Sequence, residues 1–431
     1  MNGSPSWPKS VFARNLGAES GITELMDDLG EALTLGKGRV LMMGGGNPAR
    51  IPALEAVWRE RMHELLGEES RDGGGEFDRI LGDYDPPAGS PAFREAMAGY
   101  LRREFGWDLG PENIAVTNGG QTAFFFLLNR FAGAMADGGE RRILLPLTPE
   151  YIGYGDQGVS TPHLFDGRRP LVELHGERRF KYRIDFDGLG LDEKHGAVAV
   201  SRPTNPSSNV LTDGEMDRLR TLARDRGIPL LVDNAYGLPF PGVIFTEARP
   251  VWDEGIVLTL SLSKLGLPGT RTGIVVARPD LVAEIRSMTA IVGLANNNLG
   301  QALVRPLLES GRLRTLVDEV VRPHYRERAA LALALAEEHL PPEIPWRIHE
   351  SEGAFFLWFW FENLPVSCRE LYRRLKAAGL LAVPGRPFFY GIDPRGWRHA
   401  DECLRLSFTQ PEPVVAEGFR ILGRVLREIH R

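Results

Sequence analysis

Short apolar segments alternate with helical segments between residues 112 and 277, and this alternation limits the folds open to the chain. The apolar segments have the length and composition of buried strands. Strands that are apolar on both faces are typical of a parallel sheet with helices covering both sides. The predicted strands are residues 113–117, 142–147, 197–201, 229–232, 256–260 and 273–277.

Helices are predicted between and beyond these strands. Residues 91–105 are amphipathic, and an apolar helix over residues 121–132 follows Asn118-Gly119-Gly120. Residues 213–226 form a further helix, whose N-cap is either Thr212 or Asp213. A long helical region over residues 281–340 comes next.

The pattern changes after residue 340 and predicts a smaller α+β lobe. Its strands fall in residues 346–361 and 403–407, and its helices in residues 368–378 and 414–430. The chain is therefore divided into an N-terminal arm with part of the small domain (1–55), a large domain (56–315) and a small C-terminal domain (316–431). Residues 67–75 (GEESRDGGG) are predicted to be a surface loop.

Composition excludes several classes of protein. The chain has 43% hydrophobic and 25% charged residues and a net charge of -6, so it has no electrostatic signature of nucleic-acid or membrane binding. Its two cysteines, Cys368 and Cys403, match neither a disulfide framework nor a zinc pattern. Residues 1–20 lack the apolar core of a signal peptide, and the apolar run 353–361 is too short to span a bilayer. We expect a cytoplasmic protein without a metal.

Three polar clusters follow predicted strands, at the edge where parallel sheets bind ligands. They are Ser201-Arg202-Pro203-Thr204-Asn205-Pro206, Val232-Asp233-Asn234-Ala235-Tyr236 and Ser261-Leu262-Ser263-Lys264. Each cluster alone has an ordinary explanation, because Asp233 can cap a turn, Asn205-Pro206 is a turn dipeptide and most lysines are exposed.

Together, and in this order, the clusters resemble the pyridoxal 5'-phosphate (PLP) enzymes of fold type I, in particular the class I aminotransferases. In that family Ser-x-Ser-Lys precedes an arginine by a fixed spacing, as Ser261 to Lys264 precede Arg271 here. The resemblance implies an α/β fold, with a mostly parallel seven-stranded sheet covered by helices in the large domain and a smaller α+β domain. Four segments resemble the valine-pyruvate branch most: residues 41–48 (LMMGGGNP), 149–154 (PEYIGY), 233–241 (DNAYGLPFP) and 261–269 (SLSKLGLPG).

The resemblance implies a role for each residue that would surround the PLP ring. Lys264 is the Schiff-base lysine and the general acid and base, and Asp233 keeps the pyridine nitrogen protonated. Tyr236 and Asn205 lie at the phenolic oxygen, and Tyr151 stacks on the ring. An ordinary lysine would be only roughly 0.04% neutral at pH 7, so burial and nearby cations must lower the pKa of Lys264.

Phosphate and substrate residues follow from the same resemblance. The phosphate takes the backbone of Gly119, Gly120 and Gln121, the hydroxyls of Ser261 and Ser263, and Arg271. Arg405 binds the α-carboxylate of the amino acid, with Asn205, Gly45 and Gly46 as further substrate contacts. Tyr84, in the segment Tyr84-Asp85-Pro86-Pro87-Ala88-Gly89, reaches the phosphate of a neighbouring subunit, which implies a homodimer.

Two segments depart from the family pattern. Ser207-Ser208 stands where Thr-Gly is usual, and Asn296-Asn297-Asn298 stands where close relatives have a Pro-Gly-Gly-like stretch near the partner subunit's cofactor. The three amides form either a solvated loop or a changed polar pocket. Asn234 differs from the broader family's Glu but agrees with the valine-pyruvate branch.

Three functions remain open from the sequence. The first is an aminotransferase that moves an amino group between an aliphatic L-amino acid, such as valine or alanine, and a 2-keto acid such as pyruvate. The second is a PLP enzyme of the same fold that performs elimination, replacement, cyclisation or C–C bond formation in specialised biosynthesis. The third is a noncatalytic ligand-binding relative of the kind found in transcription regulators, against which the retention of Lys264 argues.

Overall fold

The structure is a computed structural model that describes residues 7–35, 40–67, 75–393 and 395–431. Apart from Gly67 and Gly75, the predicted loop 67–75 lies outside the described residues. None of the helices in these ranges is both long enough and apolar enough to cross a membrane. The helices are α1 (Val11–Leu16), α2 (Gly21–Leu35), α3 (Pro52–Gly67), α4 (Glu76–Gly82), α5 (Pro91–Phe105), α6 (Gly120–Phe131), α7 (Asp213–Asp225), α8 (Pro279–Gly293), α9 (Leu299–Glu309), α10 (Arg312–Leu316), α11 (Arg322–His339), α12 (Cys368–Ala377) and α13 (Glu412–Ile429).

The strands form two large sheets and one short pair. They are β1 (Leu41–Met42), β2 (Ile114–Thr117), β3 (Gly133–Ala134), β4 (Glu140–Leu145), β5 (Phe165–Gly167), β6 (Leu171–His175), β7 (Arg179–Arg183), β8 (His195–Ser201), β9 (Leu230–Asp233), β10 (Ile256–Ser261), β11 (Gly273–Val276), β12 (Trp346–His349), β13 (Phe356–Phe361), β14 (Leu380–Leu381), β15 (Val383–Pro384) and β16 (Cys403–Ser407).

The larger sheet has the strand order β2-β11-β10-β9-β8-β4, and both β3 and β5 pair with β4. The predicted mostly parallel sheet covered by helices is confirmed. It contains eight strands, one more than the seven predicted, because the two-residue β3 adds to one edge of β4. Such a short strand has no apolar run that a sequence pattern can show.

Strand β11 runs antiparallel to both of its neighbours, β2 and β10. Its first residue, Gly273, therefore lies beside the last residues of those strands, Thr117 and Ser261. Because β11 is reversed, its first residue lies at the same edge of the sheet as the last residues of β2 and β10. Residues from all of the central strands therefore meet at that edge.

The start of helix α7 shows how the local sequence determines where a helix begins. Thr212 is its N-cap, because the Thr212 hydroxyl accepts a hydrogen bond from the Glu215 amide at 3.2 Å. The Glu215 carboxylate in turn accepts from the Thr212 amide at 2.8 Å. This reciprocal pair decides between the two predicted caps in favour of Thr212.

The second sheet has six strands in the order β15-β16-β13-β12-β7-β6. Its β6–β7 hairpin comes from the middle of the chain and pairs with the C-terminal strands through β12. The N-terminal strand β1 pairs with β14. The division at residues 55 and 315 stays a prediction, and it does not anticipate this hairpin.

Candidate active site

The polar clusters that follow β8, β9 and β10 meet at one edge of the larger sheet. Ser201 lies opposite Asp233 in the β8–β9 register, and Asp233 lies opposite Thr259 in the β9–β10 register. All of these strands are buried along most of their length, so the polar groups at their ends lie close to the core of the protein. The structure thus brings the predicted site residues of these three strands together.

Lys264 lies just beyond β10, in a short 3-10 turn. Its Nζ donates to the Gly46 carbonyl at 2.7 Å and lies 5.2 Å from the centre of the Tyr236 ring. Burial, together with the positive charges of Arg405 and Arg271, lowers the pKa of Lys264 to about 8, against the opposing charge of Asp233. Roughly a tenth of a group with that pKa is neutral at pH 7, several hundred times more than for an exposed lysine.

Asp233 is the last residue of β9 and is held by two donors. The Tyr154 hydroxyl donates to Oδ2 at 2.6 Å, and the Ala235 amide donates to Oδ1 at 2.9 Å. Burial raises the pKa of Asp233, while Tyr154, the Ala235 amide and the charge of Lys264 all oppose that rise. The sequence analysis did not assign Tyr154, although it lies three residues after Tyr151 in a segment that carries the resemblance.

Arg405 projects from β16 and is 2% exposed. Its Nη1 donates to Asn205 Oδ1 at 2.6 Å and its Nη2 to the Gly44 carbonyl at 2.7 Å, while its buried Nε has no hydrogen-bond partner among the described residues. The guanidinium lies 4.3 Å from the centre of the Phe356 ring. Burial lowers the pKa of Arg405 to about 10. A buried arginine without an acidic partner can bind an incoming carboxylate.

The glycine-rich segment before Arg50 supplies backbone to the site, at one glycine that was predicted and at one that was not. Gly46 contacts Lys264 as expected for a residue of the substrate pocket, whereas Gly44, which was not assigned, accepts from Arg405. No contact of Gly45 with the predicted site residues is seen in the described part of the chain. The run of three glycines indicated in the sequence that this segment belongs to the site. Which of the glycines contacts which site residue could not be predicted from the sequence.

Gly119 and Arg271 form a tight cradle at the start of α6. Gly119 has φ +86°, and a Cβ there would lie 2.1 Å from Arg271 Nη2. The first amides of α6, those of Gly120 and Gln121, have no acceptor within the helix and carry the positive end of its dipole. Ser261 and Ser263 lie beside this cradle at the end of β10, where the Ser261 hydroxyl accepts from the Ser263 amide at 3.2 Å.

The departures from the family pattern have structural counterparts. Ser208 adopts φ +63°, a conformation that favours glycine, and its buried hydroxyl donates to the Phe356 carbonyl at 2.7 Å. Asn296 is buried and its side-chain amide donates to the carbonyls of Pro87 and Val116. Asn296 therefore ties its own chain together, and among the three asparagines only Asn297 is exposed.

Tyr84 lies apart from the other predicted site residues. Its side chain is 84% exposed, and no hydrogen bond joins it to the described part of its own chain. The segment that carries it is fixed nonetheless, because Asp85 accepts from Arg79 at 2.7 Å and the Pro87 carbonyl accepts from Asn296.

The chemistry of these groups fits PLP. The ring nitrogen matches the carboxylate of Asp233, and the phosphate matches the amides at the start of α6 together with Arg271. Tyr236 is a buried residue whose hydroxyl has no hydrogen-bond partner among the described residues, so the hydroxyl is available to the ring's phenolic oxygen. The absence of a Cβ at Gly119 leaves the cradle open.

Gly119→Ala is expected to weaken PLP binding by about tenfold or more and to destabilise the protein by about 1 to 2 kcal/mol. The added Cβ meets Arg271, and a residue with a side chain is strained at this φ. Fluorescence titration of the cofactor-free protein measures the affinity. Gly138→Ala is the matched control, because Gly138 has φ +84° with open space around it. Equal PLP affinity in the two variants would contradict the cradle.

Three comparisons relate the chain to known proteins. The model of the family described as aminotransferase class I and II matches residues 76–418. The valine–pyruvate aminotransferase of Escherichia coli K12 is 46% identical over 416 residues, which are 96% of this chain and 97% of that one. The crystal structure of the valine-pyruvate aminotransferase from Salmonella typhimurium LT2 is similar with a TM-score of 0.86 and 42% identity, over 95% of this chain and 99% of the other.

Proposed function

Because the chain belongs to the class I and II aminotransferases and its cofactor is PLP, we propose that it moves an amino group between an aliphatic L-amino acid of the valine or alanine type and a 2-keto acid such as pyruvate. The observation that carries this proposal is the buried Arg405, bound to Asn205 and without an acidic partner among the described residues.

The side chains near Arg405 support an aliphatic substrate. The charged groups that act on Lys264 are Arg405, Asp233 and Arg271. Arg405 is committed to the α-carboxylate and Arg271 to the phosphate, so no further cation acting on Lys264 is left for a carboxylate on the substrate's side chain. Phe355 and Phe356 supply apolar surface beside Lys264 and Arg405.

Each of the other residues acts on a defined atom. PLP supplies the electron-withdrawing ring that makes the Cα proton of an amino acid removable. Lys264 Nζ would take that proton from Cα and pass it to the cofactor, and carry it the other way in the second half of the reaction, since its lowered pKa makes the neutral amine available. Asp233, held by Tyr154, keeps negative charge at the ring nitrogen. Tyr236 and Asn205 would bind the phenolic oxygen, and Tyr151 would cover the ring.

The substrate class is tested by following alanine formation from L-valine and pyruvate. We expect kcat/KM for L-valine to exceed that for L-aspartate by at least about 100-fold, because the second carboxylate of aspartate would be buried without a partner. Comparable rates for the two amino acids would contradict the proposed substrate. With L-serine as the substrate, whose β-hydroxyl can leave, release of ammonia and pyruvate without formation of a new amino acid would point instead to elimination, an alternative that the comparisons do not favour.

We also propose that the active unit is a homodimer in which Tyr84 reaches the partner subunit's phosphate. Exposed apolar side chains support this interface: Leu81, Tyr84, Ile291, Val292 and Leu294 are 66% to 85% exposed. The bond from Asn296 to the Pro87 carbonyl joins the two segments that carry them, and the Asn297 amide donates to Asn118 beside the phosphate cradle. Asn296 stays within its own chain, so Asn297 is the asparagine that we propose faces the partner.

Val292→Glu is expected to shift the protein from dimer to monomer and to weaken PLP binding, because it would bury a charge in the proposed interface. Sedimentation measures the mass, and fluorescence titration measures the affinity. Leu171→Glu is the control, since Leu171 is also exposed, at 52%, but lies on the β6–β7 hairpin. A dimer that persists in Val292→Glu would contradict the interface.

The cytoplasmic location remains a prediction, with which the two buried free cysteines agree.

A further inference from the structure

Glu150 is a buried carboxyl group to which the transamination chemistry gives no role. It follows β4, directly before Tyr151, and is 4% exposed. Its Oε1 accepts from the Ser201 amide at 2.8 Å, and its Oε2 lies 2.5 Å from the Ser201 hydroxyl. The Tyr151 amide is a third donor, at 3.3 Å. Glu150 therefore holds the ring-stacking segment against the end of β8.

The Glu150 backbone extends this connection to the second lobe. Its amide donates to the Phe388 carbonyl at 3.0 Å, and the Phe388 ring lies 5.2 Å from the Arg405 guanidinium. Ser201, which the side chain binds, lies opposite Asp233 in the sheet. Glu150 thus touches the surroundings of both the substrate's carboxylate site and the ring's nitrogen site.

No cation faces the Glu150 side chain among the described residues. A small cavity of about 10 Å³, the scale of one water molecule, is lined by Glu150, Ser201, Asp233, Tyr154 and Tyr390 together with apolar side chains. The titratable groups around Glu150 are Asp233 from β9 and the tyrosines 151, 154 and 390. Each of these is neutral or negative, so nothing there balances a second carboxylate.

Two carboxylates in one buried region cannot both ionise without a large cost in free energy. Of the two, Asp233 is the carboxyl group that ionises more readily, because the positive charge of Lys264 and the hydrogen bond from the Tyr154 hydroxyl both stabilise its carboxylate. Burial and, to a lesser extent, the charge of Asp233 raise the pKa of Glu150 to about 8, against the hydrogen bonds from Ser201 and the Tyr151 amide.

We propose that Glu150 is a positioning residue that stays protonated in the working enzyme, so that its neutral carboxyl anchors Ser201 and Tyr151 while Asp233 alone carries negative charge beside the ring nitrogen. With Glu150 protonated, its O–H donates to the Ser201 hydroxyl and its carbonyl oxygen still accepts from the Ser201 amide. This inference rests on family membership and the cofactor, not on which amino acid is the substrate.

Infrared difference spectroscopy tests the protonation directly. The spectrum of wild-type holoenzyme minus that of Glu150→Gln at pH 7 is expected to show the carbonyl band of one protonated carboxylic acid. In the cofactor-free full-length chain this band should vanish with a midpoint near pH 8. Gln is neutral and keeps a carbonyl acceptor for Ser201, so PLP affinity in Glu150→Gln should stay within about threefold of wild type. Absence of the band at pH 7 would overturn the proposal.

Neighbouring variants give the sign of the effect and a matched control. Ser201→Ala removes a donor that stabilises the ionised form of Glu150, so the acid band of Glu150 should disappear with a midpoint at higher pH than in the wild type. Asp233→Asn removes a charge that repels ionised Glu150, so the midpoint should lie at lower pH than in the wild type. Shifts in the opposite direction would contradict the arrangement, and these two variants decide the question if Glu150→Gln does not fold. Glu352, paired with Lys181, is the control: Glu352→Gln should show no acid band in the difference spectrum.

Discussion

Lys264→Ala is expected to lower kcat by about 10³-fold or more, at the upper end of the range for loss of a general acid–base group. Among the described residues no other amine lies at this position, because the remaining charged groups that act on Lys264 are two arginines and an aspartate. The visible spectrum of bound PLP should at the same time change to that of the free aldehyde. A keto acid assay and an absorption spectrum measure the two effects.

The fold should survive this change, because burying the amine already costs free energy, as its lowered pKa shows. The free energy of unfolding is expected to stay within about 1 kcal/mol of wild type, the scale of the lost bond to Gly46. Lys264→Arg keeps the positive charge but cannot supply a neutral amine, so it should be as inactive as alanine. Lys194→Ala, at an exposed position, is the control. Activity within tenfold of wild type in Lys264→Ala would refute the assignment.

Arg405→Met should reduce kcat/KM for amino acids by about 10² to 10³-fold, which corresponds to about 3 to 4 kcal/mol of binding in the transition state. The substrate's α-carboxylate loses a bidentate partner inside an aromatic pocket. Arg405→Lys should fall between Met and wild type, since it restores the charge without the planar fork. Steady-state kinetics with varied amino acid measures the effect.

A measurement of the free energy of unfolding distinguishes a role of Arg405 in substrate binding from a purely structural role. Arg405 is a buried cation without an acidic partner among the described residues, so replacing it with Met removes a desolvation cost along with two hydrogen bonds. We expect the free energy of unfolding to change by no more than about 1 kcal/mol. Arg178→Met is the control, because Arg178 also stacks on an aromatic ring, that of Trp346, at 4.4 Å. A large loss of stability with little loss of activity in Arg405→Met would show that the arginine is structural.

Local sequence predicted most of the elements that carry the site. The apolar strands β2, β4, β8, β9, β10 and β11 were all predicted, because burial on both faces leaves an unbroken apolar run. The polar clusters after β8, β9 and β10 stood out against those runs, since polar groups at the end of a buried strand need a partner. The fold and the family could therefore be predicted, together with the residues from Asn205 to Arg271 proposed for the site.

Contacts between distant segments could not be predicted in this way. Strand β6 of the β6–β7 hairpin is largely exposed, and only the pairing of β7 with β12 places the hairpin in the second sheet. Gly44 and Tyr154 contact Arg405 and Asp233 across 361 and 79 residues of chain. Sequence shows neither contact, because each depends on the packing of segments that are far apart in the chain and not on a local pattern.

Sequence by itself determined the large domain's sheet, the order of its polar clusters and the chemistry those clusters can perform, because these follow from local patterns of burial and from residue type. Tertiary structure decided which groups meet: that Arg405 has no acid beside it, that Gly119 has to leave room for Arg271, and that Glu150 shares its buried surroundings with Asp233. The physical reason is that charge balance and close packing depend on distances in space, which residues far apart in the chain set only when both lobes have folded.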